Sequence, residues 1–402
     1  MKNVRPSVPS LGLMITLVGF PQISESIFTP VLPQLRRAFA VSANQVQLTM
    51  STYFVAFALG VLMWGQLADR WGRRPAMLAG IVVYLLGNVG LLLSPQFLTL
   101  LGWRLVQALG ASAGSVVTQT IMRESFSGVS GAKIFAKTSA AMALAPALGP
   151  LIGGIMQTYF GYRSVFATLV TMAVAVGLYA LSRLPETQTS RPPRLRQWRV
   201  VRRLLTDPVV WGYGLLIGGI NGVLFSYYAE APFIFMTHFG YSAVRYGWLG
   251  LVLAGASLLG ALLVNRFLNV WTPEQVALGG LVFSSLASAG LVAAAYWQQA
   301  TLMIVSIFLT FLGLNVTLPN ALNRALVGYE TIMGSASGWF SLGYYLLVSA
   351  LTYGMSWLHN GMVQTLPWYM AGLSCGMLVI FVLLVRSRRR ENQESLCFTE
   401  ND

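Results

Sequence analysis

Long apolar runs dominate this sequence. Twelve such segments are separated by short polar connections. A helix needs roughly 20 mostly apolar residues to cross a bilayer, whereas the strands of a membrane barrel alternate apolar and polar residues over about ten positions. The runs do not alternate, so the sequence predicts an all-α membrane protein with twelve transmembrane helices. The predicted spans are 11–33, 45–66, 76–94, 98–119, 134–158, 164–182, 208–235, 246–265, 276–296, 301–322, 333–357 and 366–385.

The composition excludes several other classes of protein. Only 9% of the residues are charged, whereas soluble domains carry about 25%. A soluble enzyme, a disordered protein and a disulfide scaffold are therefore excluded. The chain has two cysteines and two histidines, and neither pair has the spacing of a metal site or of a Cys/His nucleophile. We expect no metal, no cofactor and no enzymatic activity.

The positive charges indicate the orientation of the chain in the membrane. If the N-terminus is inside, 21 of the 26 Arg and Lys residues fall in inner segments and four in outer loops. This bias fits the positive-inside rule and places both termini in the cytoplasm. The net charge of +14 is better explained by an anionic inner leaflet than by nucleic acid, so we expect no nucleic-acid partner.

A basic, proline-containing stretch divides the spans six and six. It predicts an N-terminal six-helix bundle at 1–184, a cytoplasmic linker at 185–206, a C-terminal six-helix bundle at 207–386 and a disordered cytoplasmic tail at 387–402. Two similar halves joined by a linker are typical of a duplicated transporter. We expect a monomer.

Two charged residues inside predicted spans are candidates for function. Glu25 lies in the first span on a polar stripe with Gln22, Ser26 and Thr29, at i, i+3, i+4 and i+7. Arg104 lies in the fourth span, where a charge costs about 2.5–3.5 kcal/mol on insertion scales. Two interpretations stay open for each: Glu25 is a proton carrier or a permanently paired structural carboxylate, and Arg104 has a buried partner or reaches the interface.

Further polar and aromatic residues in the spans are candidates for lining a cavity. Glu230 either faces the cavity mouth or belongs to an interfacial aromatic belt. The remaining residues either line a cavity or tie helices together. These candidates are Gln22, Ser26, Thr29, Tyr53, Gln107, Asn221, Tyr227, Glu230, Thr317, Ser341 and Tyr344.

Two glycine-containing motifs stand out. The segment GQLADRWGRRP (65–75) joins the second and third spans, and APALGPLIGG (145–154) lies in the fifth. Proline inside a helix removes a hydrogen bond and kinks it, and glycine lets helices approach closely. The residues concerned are Gly65, Asp69, Arg70, Gly72, Arg73 and Arg74 in the first motif, and Gly149, Pro150, Gly153 and Gly154 in the second.

The chain resembles the major facilitator superfamily. The 65–75 segment matches every position of that family's loop signature, G-x-L-a-D-r-x-G-r-r-p. The segment LGWRLVQALGAS (101–112) resembles a second motif, R-x-x-q-G-x-g, with Ala108 where the motif has glycine, and 145–154 resembles the antiporter motif with Ala145 in place of its first glycine. The first span, FPQISESIFTPVLP (20–33), looks like that of bicyclomycin- and chloramphenicol-resistance (Bcr/CflA-like) exporters, a drug:proton antiporter branch with twelve helices.

The resemblance carries several expectations. It implies two pseudo-symmetric six-helix bundles around one central cavity, a 65–75 loop that latches the cytoplasmic side, and export coupled to protons through Glu25 and Arg104. The expected partners are a small-molecule substrate, protons and the lipid bilayer of a bacterial inner membrane. The second-half counterpart of the loop, at 260–266, keeps a Gly and an Arg but no Asp. An uptake symporter of the same fold and a non-transporting membrane sensor or scaffold remain alternatives.

Overall fold

The structure is a computed structural model that describes residues 9–126, 128–188, 197–329 and 332–399. These residues form long helices joined by short turns, with no strand among them, so the predicted all-α class is confirmed. The helices are α1 Leu11–Ser26, α2 Leu32–Ala38, α3 Ala43–Trp71, α4 Arg73–Leu93, α5 Phe97–Ser125, α6 Gly128–Phe160, α7 Tyr162–Arg183, α8 Gln197–Thr206, α9 Pro208–Pro232, α10 Ala243–Phe267, α11 Pro273–Tyr296, α12 Ala300–Arg324, α13 Met333–Leu358 and α14 Thr365–Thr399.

The helices follow the predicted spans. The first span is made of α1, a 3₁₀ turn at Thr29–Val31 and α2, and a π-helical segment, Phe233–His238, continues α9. Each of the other ten spans coincides with one helix. Nine helical stretches of the described residues are long and apolar enough to cross a membrane.

Local capping chemistry explains where several helices begin. Ser42 accepts a hydrogen bond from the Gln45 backbone N–H, and the Gln45 side chain accepts one from the Ser42 N–H in return. Thr272 and Gln275 form the same capping box before α11. Both boxes satisfy N–H groups that the first helical turn leaves without partners.

Large apolar side chains are exposed along the middle of many helices. In water such surfaces would be costly, whereas in a bilayer they contact acyl chains. They therefore agree with a membrane-embedded chain. Examples are Leu59, Val82, Leu86, Leu178, Leu262, Leu286, Val379 and Leu383.

Small residues bring α5 into close contact with α3 and α4. A Cβ added at Gly110 of α5 would lie 2.2 Å from the Tyr84 backbone nitrogen of α4, and one added at Gly60 of α3 would lie 2.1 Å from the Ser112 hydroxyl. Helix α5, which carries Arg104, is thereby held between its two neighbours.

The chain forms two compact units. The first unit comprises Met1–Leu195, Phe225–Gly255 and Ser341–Met362, and the second comprises Arg196–Leu224, Ala256–Phe340 and Val363–Asp402. The predicted boundaries of the two six-helix bundles stay a prediction.

The predicted linker and tail contain helical residues. Part of the linker, 189–196, lies outside the described residues, as do residues 1–8 at the N-terminus. The rest of the linker includes α8, and α14 continues to Thr399, into the tail predicted to be disordered. The tail is rich in Arg, Glu and Gln, which have high helix propensity; this accounts for the continuation.

Candidate functional site

The helix of the first span is broken directly after Glu25. Helix α1 ends at Ser26, and Pro30 lies in the 3₁₀ turn that follows, where proline supplies no backbone N–H. Glu25 is only 3% exposed. Its Oε1 atom has no hydrogen-bond partner in the described structure. The first span thus carries a buried carboxyl group with an unused acceptor.

The other members of the predicted polar stripe have different roles. The Ser26 hydroxyl donates to the Gln22 carbonyl at 2.9 Å, and the Thr29 hydroxyl donates to the Ser26 carbonyl at 2.9 Å. Both hydroxyls therefore stabilise the backbone where the helix breaks. Gln22 is half-buried.

Arg104 is completely buried in the first unit. Its Nε donates to the Thr49 carbonyl at 3.3 Å and its Nη1 to the Ser24 carbonyl at 3.4 Å. The guanidinium lies 3.8 Å from the ring centroid of Phe28 and 4.1 Å from that of Tyr53, distances typical of cation–π contacts. The side chain is held inside the protein and does not reach out to an interface.

A chain of amides continues from Arg104. Its Nη1 also donates to Gln107 Oε1, and Gln107 Nε2 donates to Asn88 Oδ1 at 2.5 Å. Within the described residues, no salt bridge joins Arg104 to Glu25. Arg104 is thus held in place by carbonyl oxygens and aromatic faces, and no carboxylate is in direct ion-pair contact with it among the described residues.

Several buried polar atoms of the first unit lack a hydrogen-bond partner in the described part of the chain. Most buried polar groups in proteins are hydrogen-bonded, so each exception calls for an explanation. These atoms belong to residues around Glu25 and Arg104, and are of the type that a proton or a polar ligand group binds. Glu25 Oε1 and Arg104 Nη2 have no hydrogen-bond partner among the described residues. Ser24 Oγ, Tyr53 Oη, Tyr84 Oη and Asn88 Nδ2 lie close to one another without reaching hydrogen-bond geometry.

An aromatic cluster in the first unit extends from Tyr53. The ring centroids of Tyr53 and Phe54 are 5.5 Å apart. The ring centroids of Phe54 and Phe225 are 4.2 Å apart. Tyr345 of α13 lies 6.3 Å from Phe54 with nearly parallel rings. Two predicted cavity residues adjoin it: Tyr227 is 5.8 Å from Tyr228, and Tyr344 is 4.4 Å from Tyr345.

The remaining predicted cavity residues are spread over the two units. Asn221 and Thr317 belong to the second unit, and both donate to backbone carbonyls: Asn221 to Ile217, and Thr317 to Gly313 and Ala277. Ser341 is half-buried on α13 of the first unit. Glu230 is buried in the first unit, beside His359, at 2.8 Å.

The 65–75 motif forms a tight junction between α3 and α4. Its first glycine, Gly65, lies inside α3, and Gly72 alone occupies the turn. Gly72 has φ +104°, and a Cβ there would lie 2.5 Å from a Glu186 carboxylate oxygen. Only glycine combines this conformation with so close an approach. Arg70 is exposed.

A charged network surrounds Arg73. Its Nη1 lies 2.6 Å from Asp69 Oδ1, and its Nη2 lies 2.6 Å from Glu124 Oε1. The Arg73 side chain is 5% exposed and that of Asp69 is 48% exposed. The network therefore joins the ends of α3 and α5 to the beginning of α4.

Glu186 caps α4 from a distant part of the sequence. Its carboxylate accepts hydrogen bonds from the backbone N–H groups of Arg73, at 2.9 Å, and Arg74, at 3.1 Å. The Arg74 side chain donates to the Leu181 carbonyl at 2.9 Å. Burial opposes ionisation of Glu186, but the backbone hydrogen bonds from Gln188, Arg73, Arg74 and Thr187 outweigh it and lower the pKa of this carboxyl below its ordinary value.

The 145–154 motif lies between two neighbours in the first unit. A Cβ at Gly149 would lie 2.0 Å from the Ser26 hydroxyl, and one at Gly153 would lie 2.3 Å from the Ile27 carbonyl oxygen, so this face packs where the first span breaks. On another face, a Cβ at Gly154 would lie 2.3 Å from the Ala243 carbonyl oxygen. Pro150 is buried, and α6 continues through it as one helix; the predicted kink stays a prediction.

The sequence did not reveal several residues of these networks. Glu124, Glu186, Asn88, Gln47 and His359 contact predicted site residues, yet none of them lies in one of the sequence motifs. Two weak signals existed: Asn88 is an amide inside an apolar span, and Glu186 follows closely on α7. Among the described residues, no cluster of three His, Cys, Asp or Glu side chains fits a metal ion.

A family model and two bacterial relatives match most of this chain. The family model of the Major Facilitator Superfamily matches residues 14–353. An uncharacterized transporter of Rickettsia bellii is 31% identical over 93% of this chain and 96% of its own length. A chloramphenicol resistance protein of Pseudomonas aeruginosa is 29% identical over 87% of this chain and 86% of its own.

A solved structure shares the fold. The xylose transporter XylE from E. coli superposes with a TM-score of 0.73 over 92% of this chain and 95% of that protein, at 12% identity. At this identity the likeness concerns the fold alone.

Proposed function

Because the chain belongs to the Major Facilitator Superfamily, we propose that it is a proton-driven antiporter that exports a small drug-like molecule or metabolite from the cytoplasm. The supporting observation is the buried Glu25 carboxyl group, which has an unpartnered oxygen and belongs to the same unit as the buried cation Arg104. A carboxyl group that takes up and releases a proton couples the membrane potential to transport, at about 2.3 kcal/mol per charge and 100 mV.

In this mechanism Glu25 carries the proton and Arg104 controls when it does so. A nearby cation favours the ionised carboxylate, and burial favours the protonated acid. The guanidinium is held by carbonyls at 3.3 and 3.4 Å from its nitrogens, so small shifts of α1 against α5 change the balance. Substrate and proton would then use the site alternately.

The direction of transport is supported by two lines of argument. The 145–154 motif packs α6 against the break after Glu25, and in the family it accompanies exporters. The relative in Pseudomonas aeruginosa is described as a chloramphenicol resistance protein. Export of substrate in exchange for entering protons accounts for both the motif and the description of this relative.

The substrate is proposed to be neutral, zwitterionic or monocationic. Arg104 has carbonyl and amide partners and two aromatic faces against it, so it is poorly placed to hold a polyanion. The aromatic cluster of Tyr53, Phe54 and Phe225 suits flat apolar or weakly cationic molecules.

The proposal is tested with Glu25→Gln in proteoliposomes. The neutral amide keeps the shape of the side chain but has no acidic proton to release and take up. With radiolabelled chloramphenicol or ethidium as the probe, this variant should lose pH-driven accumulation yet retain counterflow without a gradient. Accumulation equal to that of the unmodified protein would refute the coupling role. A symporter would instead accumulate the probe in the same direction as the proton movement. A sensor or scaffold would show neither pH-driven accumulation nor counterflow of the probe.

The matched control is Glu274→Gln. It removes a carboxylate from a partly exposed ion pair of the second unit. It should leave both pH-driven accumulation and counterflow intact, which separates the role of Glu25 from any general effect of losing an acid.

A further inference from the structure

A second buried carboxylate, Glu230, has two side-chain partners from distant parts of the chain. Gln47 Nε2 donates to its Oε2 at 2.5 Å. His359 Nδ1 lies 2.8 Å from both carboxylate oxygens. All three residues belong to the first unit, and Glu230 is 1% exposed. The cluster of Gln47, Glu230 and His359 is here named the outer cluster.

Further hydrogen bonds hold the outer cluster together. Asn44 Nδ2 donates to the carbonyls of Ser356, at 2.7 Å, and His359, at 3.2 Å. The Ser356 hydroxyl donates to the Asn44 carbonyl at 2.7 Å. The beginning of α3 is thereby tied to the end of α13 on either side of Glu230 of α9. The positive-inside rule predicts that these three helix ends lie on the outer side of the membrane.

The geometry of the outer cluster can accommodate a proton. A carboxylate as buried as Glu230 is costly without a compensating positive charge or proton. His359 can supply either, because histidine changes its charge between about pH 5 and 8. Its side chain is 10% exposed, so the imidazole is within reach of protons from the outer solution.

Other ionisable groups near the outer cluster are solvated. Helix α2 packs against the π-helical segment that follows Glu230, and it brings Arg36 and Arg37. The segment itself carries His238. All three side chains are exposed. The Phe233 ring, which is buried, lies 5.2 Å from the His359 ring. His359 is therefore the cation positioned to neutralise Glu230.

We propose that the outer cluster is a proton-binding site, distinct from Glu25, that closes the outer side of the protein when His359 is protonated beside the Glu230 carboxylate. A proton from the outer solution adds to the free ring nitrogen, and the resulting imidazolium faces the carboxylate. When that proton returns to the outer solution, the buried carboxylate keeps only neutral partners. Separation of the three helix ends then becomes favourable, because water solvates the carboxylate.

The proposal makes closure dependent on external pH. If the closed form of the protein binds a proton more tightly than the open form, the ratio of closed to open protein changes by up to about tenfold per pH unit. The closed fraction should therefore increase as the pH falls from 8.5 to 5.5. An acidic outer solution would thus favour closure of the outward-facing protein once the outer cluster has bound a proton.

The test measures this opening directly, without substrate and without a proton gradient. Cys375 and Cys397 are replaced by serine, and spin labels are attached to Ala38→Cys and Met362→Cys, two exposed positions of the first unit. Electron–electron distance measurements at each pH give the fraction with the short, closed distance. We expect the ratio of closed to open protein to increase at least threefold between pH 8.5 and 5.5.

Variants separate the outer cluster from other titrating groups. His359→Gln should give a low closed fraction that is independent of pH, whereas His359→Lys, with a permanent cation, should give a high one that is also independent of pH. His238→Gln is the matched control, because it removes an exposed histidine and should keep the full pH response.

Two results would overturn the proposal. One is a pH response that survives in His359→Gln, and the other is a closed fraction of the unmodified protein that does not change with pH. If a His359 variant fails to fold, Glu230→Gln serves the same test, because without a carboxylate to neutralise the closed fraction should not depend on pH. Because no transport is measured, the outcome is independent of whether the protein is an antiporter.

Discussion

In each of the two units an ion pair joins the beginning of one helix to the end of the next. The basic and acidic partners have exchanged places between the two units. In the first unit, Arg73 at the beginning of α4 contacts Glu124 at the end of α5. In the second unit, the acid comes first: Glu274 at the beginning of α11 contacts Arg324 at the end of α12, at 2.7 Å. In the predicted duplication, α4 and α5 correspond to α11 and α12, so the position of the ion pair recurs although its direction does not.

The surroundings of the two ion pairs differ more than the pairs themselves. Arg73 is buried and has a second carboxylate, Asp69, while Glu186 caps its helix. The side chains of Arg324 and Glu274 are 37% and 28% exposed. A buried charge depends on its partners, whereas a solvated pair adds little stability. The difference indicates that the 65–75 loop is a rigid junction and that its second-half counterpart is a loose contact.

The largest expected effect is from Arg73→Ala, which breaks the tight junction. It removes the cation from Glu124 and Asp69, whose side chains are 30% and 48% exposed, and the loss of these hydrogen bonds between charged groups should cost about 2–3 kcal/mol. Arg324→Ala should cost at most about 1 kcal/mol. Thermal unfolding in detergent, with both variants measured side by side, checks the prediction. Equal destabilisation would remove the distinction between the two regions.

The next effect concerns the backbone of the same loop. Gly72→Ala forces a side chain into φ +104° and against the Glu186 carboxylate, a combination that should cost roughly 2 kcal/mol. Gly65→Ala is the matched control: it is helical, and its nearest neighbour is Val116 Cγ2 at an ordinary 3.7 Å. We expect this variant to be neutral or slightly stabilised. Similar unfolding temperatures for the two alanine variants would contradict the assignment of the turn to Gly72.

The comparison also shows which features could be predicted from the sequence. Long apolar runs determine helices because an unpaired backbone group in lipid is costly, and a helical segment lies at each of the twelve predicted spans. The 65–75 motif identified Arg73 and Asp69 because all its residues lie within one loop. Hydropathy could not reveal partners such as Glu124 and Glu186, since contacts across 51 and 113 positions leave no periodic pattern.

The candidate site shows the same limit. Two of the charges inside the predicted spans, Glu25 and Arg104, are conspicuous in the sequence because such charges are costly there. Their environment depends on how helices pack, and Phe28 over the guanidinium or Asn88 beyond Gln107 follow only from the fold. His359 looked isolated because its partner Glu230 lies 129 positions away.

The smallest expected effect concerns the Glu186 cap, and it depends on pH. The carboxylate accepts backbone N–H groups at the beginning of α4, as a side-chain cap at a helix N-terminus does, so Glu186→Gln should cost about 0.5–1 kcal/mol at neutral pH. The lower end applies because Glu186 is exposed, so water screens its charge. Glu274→Gln, in the solvated pair, is the control that should change stability less.

The sign of the pH dependence follows from the lowered pKa of Glu186. A carboxyl whose pKa is lower in the folded protein stabilises it at pH values above the ordinary glutamate value, about 4.3, and this stabilisation is lost as the pH falls through the folded pKa. The difference in unfolding temperature between the unmodified protein and Glu186→Gln should therefore be constant from pH 8 to 6 and shrink below about pH 4.3. A difference that grows in acid would mean that Glu186 is not ionised in the folded protein. The charge of the cap, and with it the rigidity of the first junction, would then have to come from elsewhere in the Arg73 network.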